Sequence, residues 1–245
     1  ASAAAAVTTG ICNVAIGKSA LAVSTTGCFN IALGELAMGA ADTTGTNNIA
    51  IGQVAADALT TGLKNVAIGF GALGASTTGC DNIAIGRLTM GGAATTGINN
   101  IAMGNSSMDA LTSGICNIAI GTSALGSSTT GCFNIAMGDG AMGVCTATGV
   151  NNIGLGTLAA GALTTGLCNV AIGHTAMCKV TSGCQNVAIG RGAMKDSALT
   201  GNNNIAIGNG AAKSLAGGSN NTVIGGGAAC ELTSGANNTM IGTGA

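Results

Sequence analysis

Thr8-Thr9-Gly10-Ile11-Cys12-Asn13-Val14-Ala15-Ile16-Gly17-Lys18-Ser19-Ala20-Leu21 decides the fold, because near-copies of it fill the chain. The repeated Asn stands at Asn13, Asn30, Asn48, Asn65, Asn82, Asn100, Asn117, Asn134, Asn152, Asn169, Asn186, Asn204, Asn221 and Asn238. Successive steps are 17, 18 and 17 residues, cycling without a slip, so three steps make a 52-residue superrepeat. A short repeat held in such strict phase puts every copy at an equivalent place in a stack.

Helix is excluded by two glycines per copy and by branched residues at the apolar positions. Val14-Ala15-Ile16 reads as a short strand of period two, ended by Gly17. The residue after the Asn is Val or Ile in twelve of the fourteen copies, and the third residue after it is Ile, Leu or Met in all. Between them stands Ala in eleven. This alternation predicts that the Val/Ile pair faces a core and that Ala forms a flat outer face. A second apolar file, eight after the Asn (Leu21, Met38, Ala56, Leu73), is expected to form the opposing wall of that core. The glycines four after and three before each Asn never vary and mark the bends.

One copy is then one coil of a parallel β-solenoid, an all-β fold of about fourteen coils (β-helix or β-roll). Coils stacked at roughly 4.8 Å would make a rod of about 65 Å. The array reads as a single domain over residues 1–245, with a lead-in at 1–6 and divergent last coils at 216–245. The stacked Asn side chains form a ladder whose amides pair along the axis and satisfy backbone groups at the turn. The Thr form a second ladder. Within the superrepeat, one class of copy carries Cys two before the Asn (Cys28, Cys80, Cys132, Cys184). Another doubles the Asn (Asn47-Asn48, Asn99-Asn100, Asn151-Asn152). Duplication of a three-coil ancestor is the favoured account of this cycle, and a surface pattern recurring every three coils, roughly 14 Å, is the alternative.

Composition narrows function. Only 6% of residues are charged, the net charge is −1, and Lys and Arg are scattered. Nucleic acid and an anionic membrane are therefore unfavoured partners, and no apolar run has the length of a membrane span. Paired carboxylates, catalytic triads, phosphate loops and zinc spacings are absent from the sequence. It therefore indicates no enzyme, no catalytic residue, no metal and no cofactor. His174, the one histidine, falls in the outward file five after the Asn. Three cysteine pairs on adjacent coils, Cys12 with Cys28, Cys116 with Cys132 and Cys168 with Cys184, are the candidate disulfides. Ala1-Ser2-Ala3 has the small residues that signal-peptidase cleavage leaves, which fits an extracellular or cell-surface protein.

The N-V-A-I-G-x-x-A stretch resembles the head repeats of trimeric autotransporter adhesins. The longer T-T-G-x-x-N-x-A-I-G string resembles repeats of phage tail-fibre and marine bacterial surface proteins. The motif is also similar to the N-x-V-x-G coils of grass ice-binding proteins. The resemblance covers essentially the whole chain. It implies a β-solenoid; in the adhesin heads the repeat is shorter and the chain trimerises through a small-residue face, whereas here the Thr-Thr-Gly corner lengthens the repeat. Function is expected to follow from continuation. Seven residues follow Asn238 and twelve precede Asn13, so end-to-end joining would restore a step of 20, close to one coil. The leading expectation is a non-enzymatic filament or fibre subunit whose partner is itself, end to end and side by side. Ice binding and an adhesin or tail-fibre segment are the alternatives.

Overall fold

Val14, Ala15 and Ile16 pair in parallel with Ile31, Ala32 and Leu33 of the next copy, and the same register recurs along the chain. The computed structural model describes residues 2–245; Ala1, the first residue of the proposed cleavage remnant, lies outside them. The chain is an all-β parallel β-solenoid with one three-residue strand per coil. Its backbone divides into two compact units, Ala1–Ser123 and Ala124–Ala245. The first holds β1 (Val14–Ile16), β2 (Ile31–Leu33), β3 (Ile49–Ile51), β4 (Val66–Ile68), β5 (Ile83–Ile85), β6 (Ile101–Met103) and β7 (Ile118–Ile120). The second holds β8 (Ile135–Met137), β9 (Ile153–Leu155), β10 (Val170–Ile172), β11 (Val187–Ile189), β12 (Ile205–Ile207), β13 (Thr222–Ile224) and β14 (Thr239–Ile241). In each unit every strand pairs with its sequence neighbours only. Residues 3–6, read as a lead-in, already follow the coil path: Ala4 donates its N–H to Ala20 O at 2.8 Å.

The facing of the strand is the reverse of the sequence expectation. Ala32, Ala50, Ala67 and Ala84 are fully buried, and the flanking Val and Ile look outward. The reason is width. The interior of a 17-residue coil must also hold the file eight after the Asn, where Leu21, Met38, Leu73 and Met90 are buried as expected. Coil 9 shows how little space remains. There Gly154 replaces the Ala, and an added Cβ would lie 3.0 Å from Met142 Cγ and 3.1 Å from Ala159 O. The interior site of the strand holds Ala or Gly in twelve of the fourteen coils, with Val223 and Met240 of the last two as the exceptions. β13 and β14 keep the same facing with different residues. Val223 is fully buried where Ala stands elsewhere, and Thr222 and Thr239 take the outer place.

A third interior file escaped the sequence reading. Ser24, Thr43 and Leu59 are buried on successive coils, followed by Ser76, Thr95 and Leu111. This file offsets the other within most coils: Leu21 shares a coil with Ser24, Met38 with Thr43, and small Ala56 with Leu59. The 52-residue cycle is thus accompanied by a large-against-small compensation in coils 1–5, which lapses where Met108 meets Leu111, Met177 meets Val180 and Met194 meets Leu199. The buried hydroxyls cost nothing in unmet polarity, because each donates to a carbonyl of the next coil. Ser24 Oγ reaches Thr43 O at 2.6 Å and Thr43 Oγ1 reaches Leu59 O at 2.8 Å.

Coils also enter the left-handed backbone region one before, six after and eight after the Asn, with a side chain at the first and last of these sites and Leu, Val, Ser, Thr or Gly at the middle one. In coil 2 these are Phe29 (φ 57°), Leu36 (φ 57°) and Met38 (φ 48°). Such φ values are disfavoured for L-residues with a side chain. They persist because the N–H groups they aim are all taken: Phe29 donates to Ile11 O, Leu36 to Lys18 O and Met38 to Ala55 O. The doubled Asn of the third repeat class now has a local cause. Asn47, Asn99, Asn151 and Asn203 occupy the left-handed site before the ladder Asn, with φ of 58–61°, and Asn tolerates that region best after Gly.

Candidate functional site

Two outward files of branched apolar side chains run over each unit. In the first unit they begin with Val14, Ile31 and Ile49 on one file and Ile16, Leu33 and Ile51 on the other. In the second they begin with Ile135, Ile153 and Val170 beside Met137, Leu155 and Ile172. Ile51 is 36% exposed, Met103 40%, Met137 42% and Ile207 37%, values far from those of a closed core. The strand itself dictates this outcome. Alternation sends every second side chain out, and once Ala fills the narrow interior the large ones must face solvent. Isolated exposed apolar residues are ordinary, but a contiguous patch marks an association surface. The Ala file, expected to form a flat outer face, is inside the coil and cannot serve as a docking face.

Directly beside the strands runs the Asn ladder, as the sequence indicated. In the first unit, Asn30, Asn48, Asn65, Asn82, Asn100 and Asn117 are buried and Asn13 is partly so. Each side-chain oxygen accepts the backbone N–H of the next Asn at 2.9–3.1 Å. Each Nδ2 donates forward to the glycine carbonyl of the next coil, Asn30 to Gly45 O at 2.9 Å and Asn65 to Gly79 O at 2.7 Å. The second unit repeats the arrangement from Asn134 through Asn152, Asn169, Asn186, Asn204, Asn221 and Asn238. The ladder is a structural device. Its amides are spent on the backbone, which leaves them nothing for a ligand.

The candidate disulfides are corrected by the structure: all ten cysteines are thiols. Cys12 and Cys28 occupy adjacent files instead of one shared file. Phe29 N bonds Ile11 O, so Cys12 stacks on Phe29, and the Ile11 N–H donates to Cys28 Sγ at 3.4 Å. Cys168 and Cys184 are offset in the same way, since Gln185 N bonds Leu167 O. Sγ of Cys28, Cys132 and Cys184 each contacts the carbonyl two residues back, at 3.3, 3.4 and 3.5 Å. Cys116 likewise carries no disulfide to Cys132.

The polar outer file five after the Asn pairs along the stack. Lys18 Nζ meets Glu35 Oε1 at 2.9 Å, Gln53 donates to Glu35 Oε2 at 3.3 Å, and Arg87 lies over the Phe70 ring at 5.6 Å. His174 is exposed in this file, where the sequence placed it. The threonine hydroxyls are engaged within the stack: Thr60 Oγ1 donates to Thr77 O at 3.0 Å and Thr164 Oγ1 to Thr181 O at 2.9 Å. Among the described residues, no group of three His, Cys, Asp or Glu side chains is arranged to hold a metal ion. Among them, too, no helix is long and apolar enough to cross a membrane. No family profile, curated protein or solved structure matches the chain.

Proposed function

We propose that the protein is a non-catalytic structural component, an extracellular fibre-forming solenoid whose copies associate through the two outward apolar files. The observation that carries this reading is the uncovered Val/Ile and Ile/Leu/Met surface on each unit. A second copy suits it for a reason of period. Side chains in the files recur at the spacing of parallel strands, about 4.8 Å, and only another surface of the same repeat matches that spacing rung for rung. The strands bear no charge that would oppose the contact. Coil-on-coil addition between chains, the route favoured by the sequence, would lengthen the same files without altering them. Ice binding through the Thr ladder is less well supported, because hydroxyls of that ladder already donate to neighbouring carbonyls.

Sedimentation velocity and negative-stain microscopy of the purified chain test the proposal, beside the double variant Ile51→Lys/Met103→Lys. Both positions are exposed, so the variant keeps its fold by circular dichroism. The expected result is fibres or discrete oligomers for the parent and monomers for the variant. A parent that stays monomeric as concentration rises overturns the reading. Thermal hysteresis in that monomer would move the assignment to ice.

A further inference from the structure

The second unit carries a cationic concavity that the structural role does not use. It has a volume of about 240 Å³ and is lined by His174, Thr175, Arg191, Lys195, Asn209 and Lys213, with Gly192 and Gly210 as its floor. The repeat explains how these residues meet. His174, Arg191 and Asn209 stand five after the ladder Asn on three successive coils, so stacking puts them in one file. Lys195 and Lys213 stand nine after it on two of the same coils and form the opposite wall. The whole chain has seven Lys and Arg, and three of them line this one hollow together with the only histidine.

The charge there is not cancelled. Asp196 takes Lys213 Nζ at 3.0 Å and lies 3.9 Å from Lys195 Nζ. The hydrogen bond from Lys213 holds its carboxyl below the usual range, so Asp196 is charged and offsets one of the three cations. Among the described residues no carboxylate pairs with Arg191.

The floor is bare because glycine is followed by glycine on the next coil. Six after the Asn, coils carry Leu, Val, Ser, Thr or Gly, and where Gly71 and Gly140 stand the Leu88 and Leu158 side chains of the following coils fill the space, 2.9 and 2.8 Å from an added Cβ. Here the same site is Gly192 (φ 65°) and Gly210 (φ 66°), and a Cβ on Gly210 would meet nothing within 4 Å. The hollow is thus small, open to solvent, bare-floored and rimmed by N–H donors on long side chains.

We propose that this concavity binds a tetrahedral oxyanion, a phosphate or sulfate group, either free or esterified. Arg191 supplies a planar fork of donors, Lys195 and Lys213 supply point charges, and the Asn209 amide and His174 ring complete the rim. Asp196 orients the two lysines and takes no part in holding the anion.

Calorimetric titration of the full chain tests this, with sodium phosphate and sodium sulfate as the free anions and sodium chloride as reference. Dextran sulfate against neutral dextran forms the esterified arm. Binding of phosphate or sulfate above chloride is expected, weakened at least about tenfold by Arg191→Gln and by Lys213→Gln. Gly210→Leu keeps every charge and fills the floor. It folds, since Leu88 occupies the equivalent site at φ 53°, and it too is expected to abolish binding. Lys18→Gln, on a paired cation in the first unit, is expected to change nothing. Dextran sulfate bound alone and lost in Gly210→Leu assigns the site to an ester. Anions bound no better than chloride, or bound equally by Arg191→Gln, Gly210→Leu and the parent, overturn the proposal. So does equal weakening by Lys18→Gln.

Discussion

Asn48 Oδ1 accepts both the backbone N–H of Asn65, at 2.9 Å, and its side-chain N–H, at 3.1 Å. Asn48 meanwhile donates its own Nδ2 to Gly62 O at 2.9 Å and to Asn30 Oδ1 at 3.2 Å. One buried side chain therefore meets all four of its bonding directions. Asn48→Ala strands the Asn65 N–H and the Gly62 carbonyl away from water. Each such loss costs about 1–3 kcal/mol, so a total of at least about 2 kcal/mol is expected in urea unfolding. Asn48→Asp keeps the acceptors, loses the donors and buries a charge, and is expected to be no better.

The glycine after each strand has no substitute. Gly52 has φ 135°, and a Cβ there would lie 2.5 Å from Gly69 O and 2.7 Å from Gly69 C, both backbone atoms of the next coil. Gly52→Ala must push two coils apart. We expect a loss of several kcal/mol, on the order of 3 or more, read as a large fall in melting temperature or as insoluble protein. Gly226→Ala is the control, because its added Cβ meets nothing closer than 4.0 Å.

The left-handed site before the ladder Asn offers the opposite effect. Lys64 sits there at φ 55°, where the third repeat class uses Asn. Lys64→Asn leaves the Lys64 N–H bond to Thr46 O untouched and relieves backbone strain. A gain of about 0.5–1 kcal/mol is expected in chemical denaturation. An unchanged or lower midpoint would show that the stack imposes this φ at no cost.

Asp57 sets a pH dependence. Burial pushes its carboxyl above the ordinary value of 3.8, and its Oδ1 has no hydrogen-bond partner. A raised native value means that the folded state holds the proton more tightly than the unfolded one. The associated stability is complete below pH 3.8 and is lost as pH rises through the native value. Asp57→Asn is therefore expected to be more stable than the parent at neutral pH, with the advantage vanishing in acid. Thermal melts at pH 3 to 7 check it.

Much of this was legible in the sequence, and the errors have physical causes. Period two identified the strand at Val14–Ile16, and unvarying Gly identified the bends, since both signals are local. Period two says that faces alternate and not which face is inside. Apolarity pointed to Ile, whereas the width of a 17-residue coil selects Ala32 and its equivalents. The Ser24-Thr43-Leu59 file was hidden because its offset from the Asn shifts between the 17- and 18-residue copies and because it mixes polar with apolar residues. The cysteine pairs failed on a one-residue offset, which in a stack means a different file. The cluster of Arg191, Lys195 and Lys213 was readable in principle. Aligning all copies by the Asn shows cations accumulating on successive coils.

The forward reach of every Asn has a mechanical consequence. Even the long side-chain bonds of Ser24, Ser76 and Ser128 span 19 residues and reach only the following coil, so neighbouring coils are tied directly to one another. Closing a coil costs the same loop entropy wherever it occurs. Within a unit, growth by added coils need not slow nucleation. Pulled from one end, such a unit would yield in equal steps, each freeing one coil and exposing an identical latch to the load.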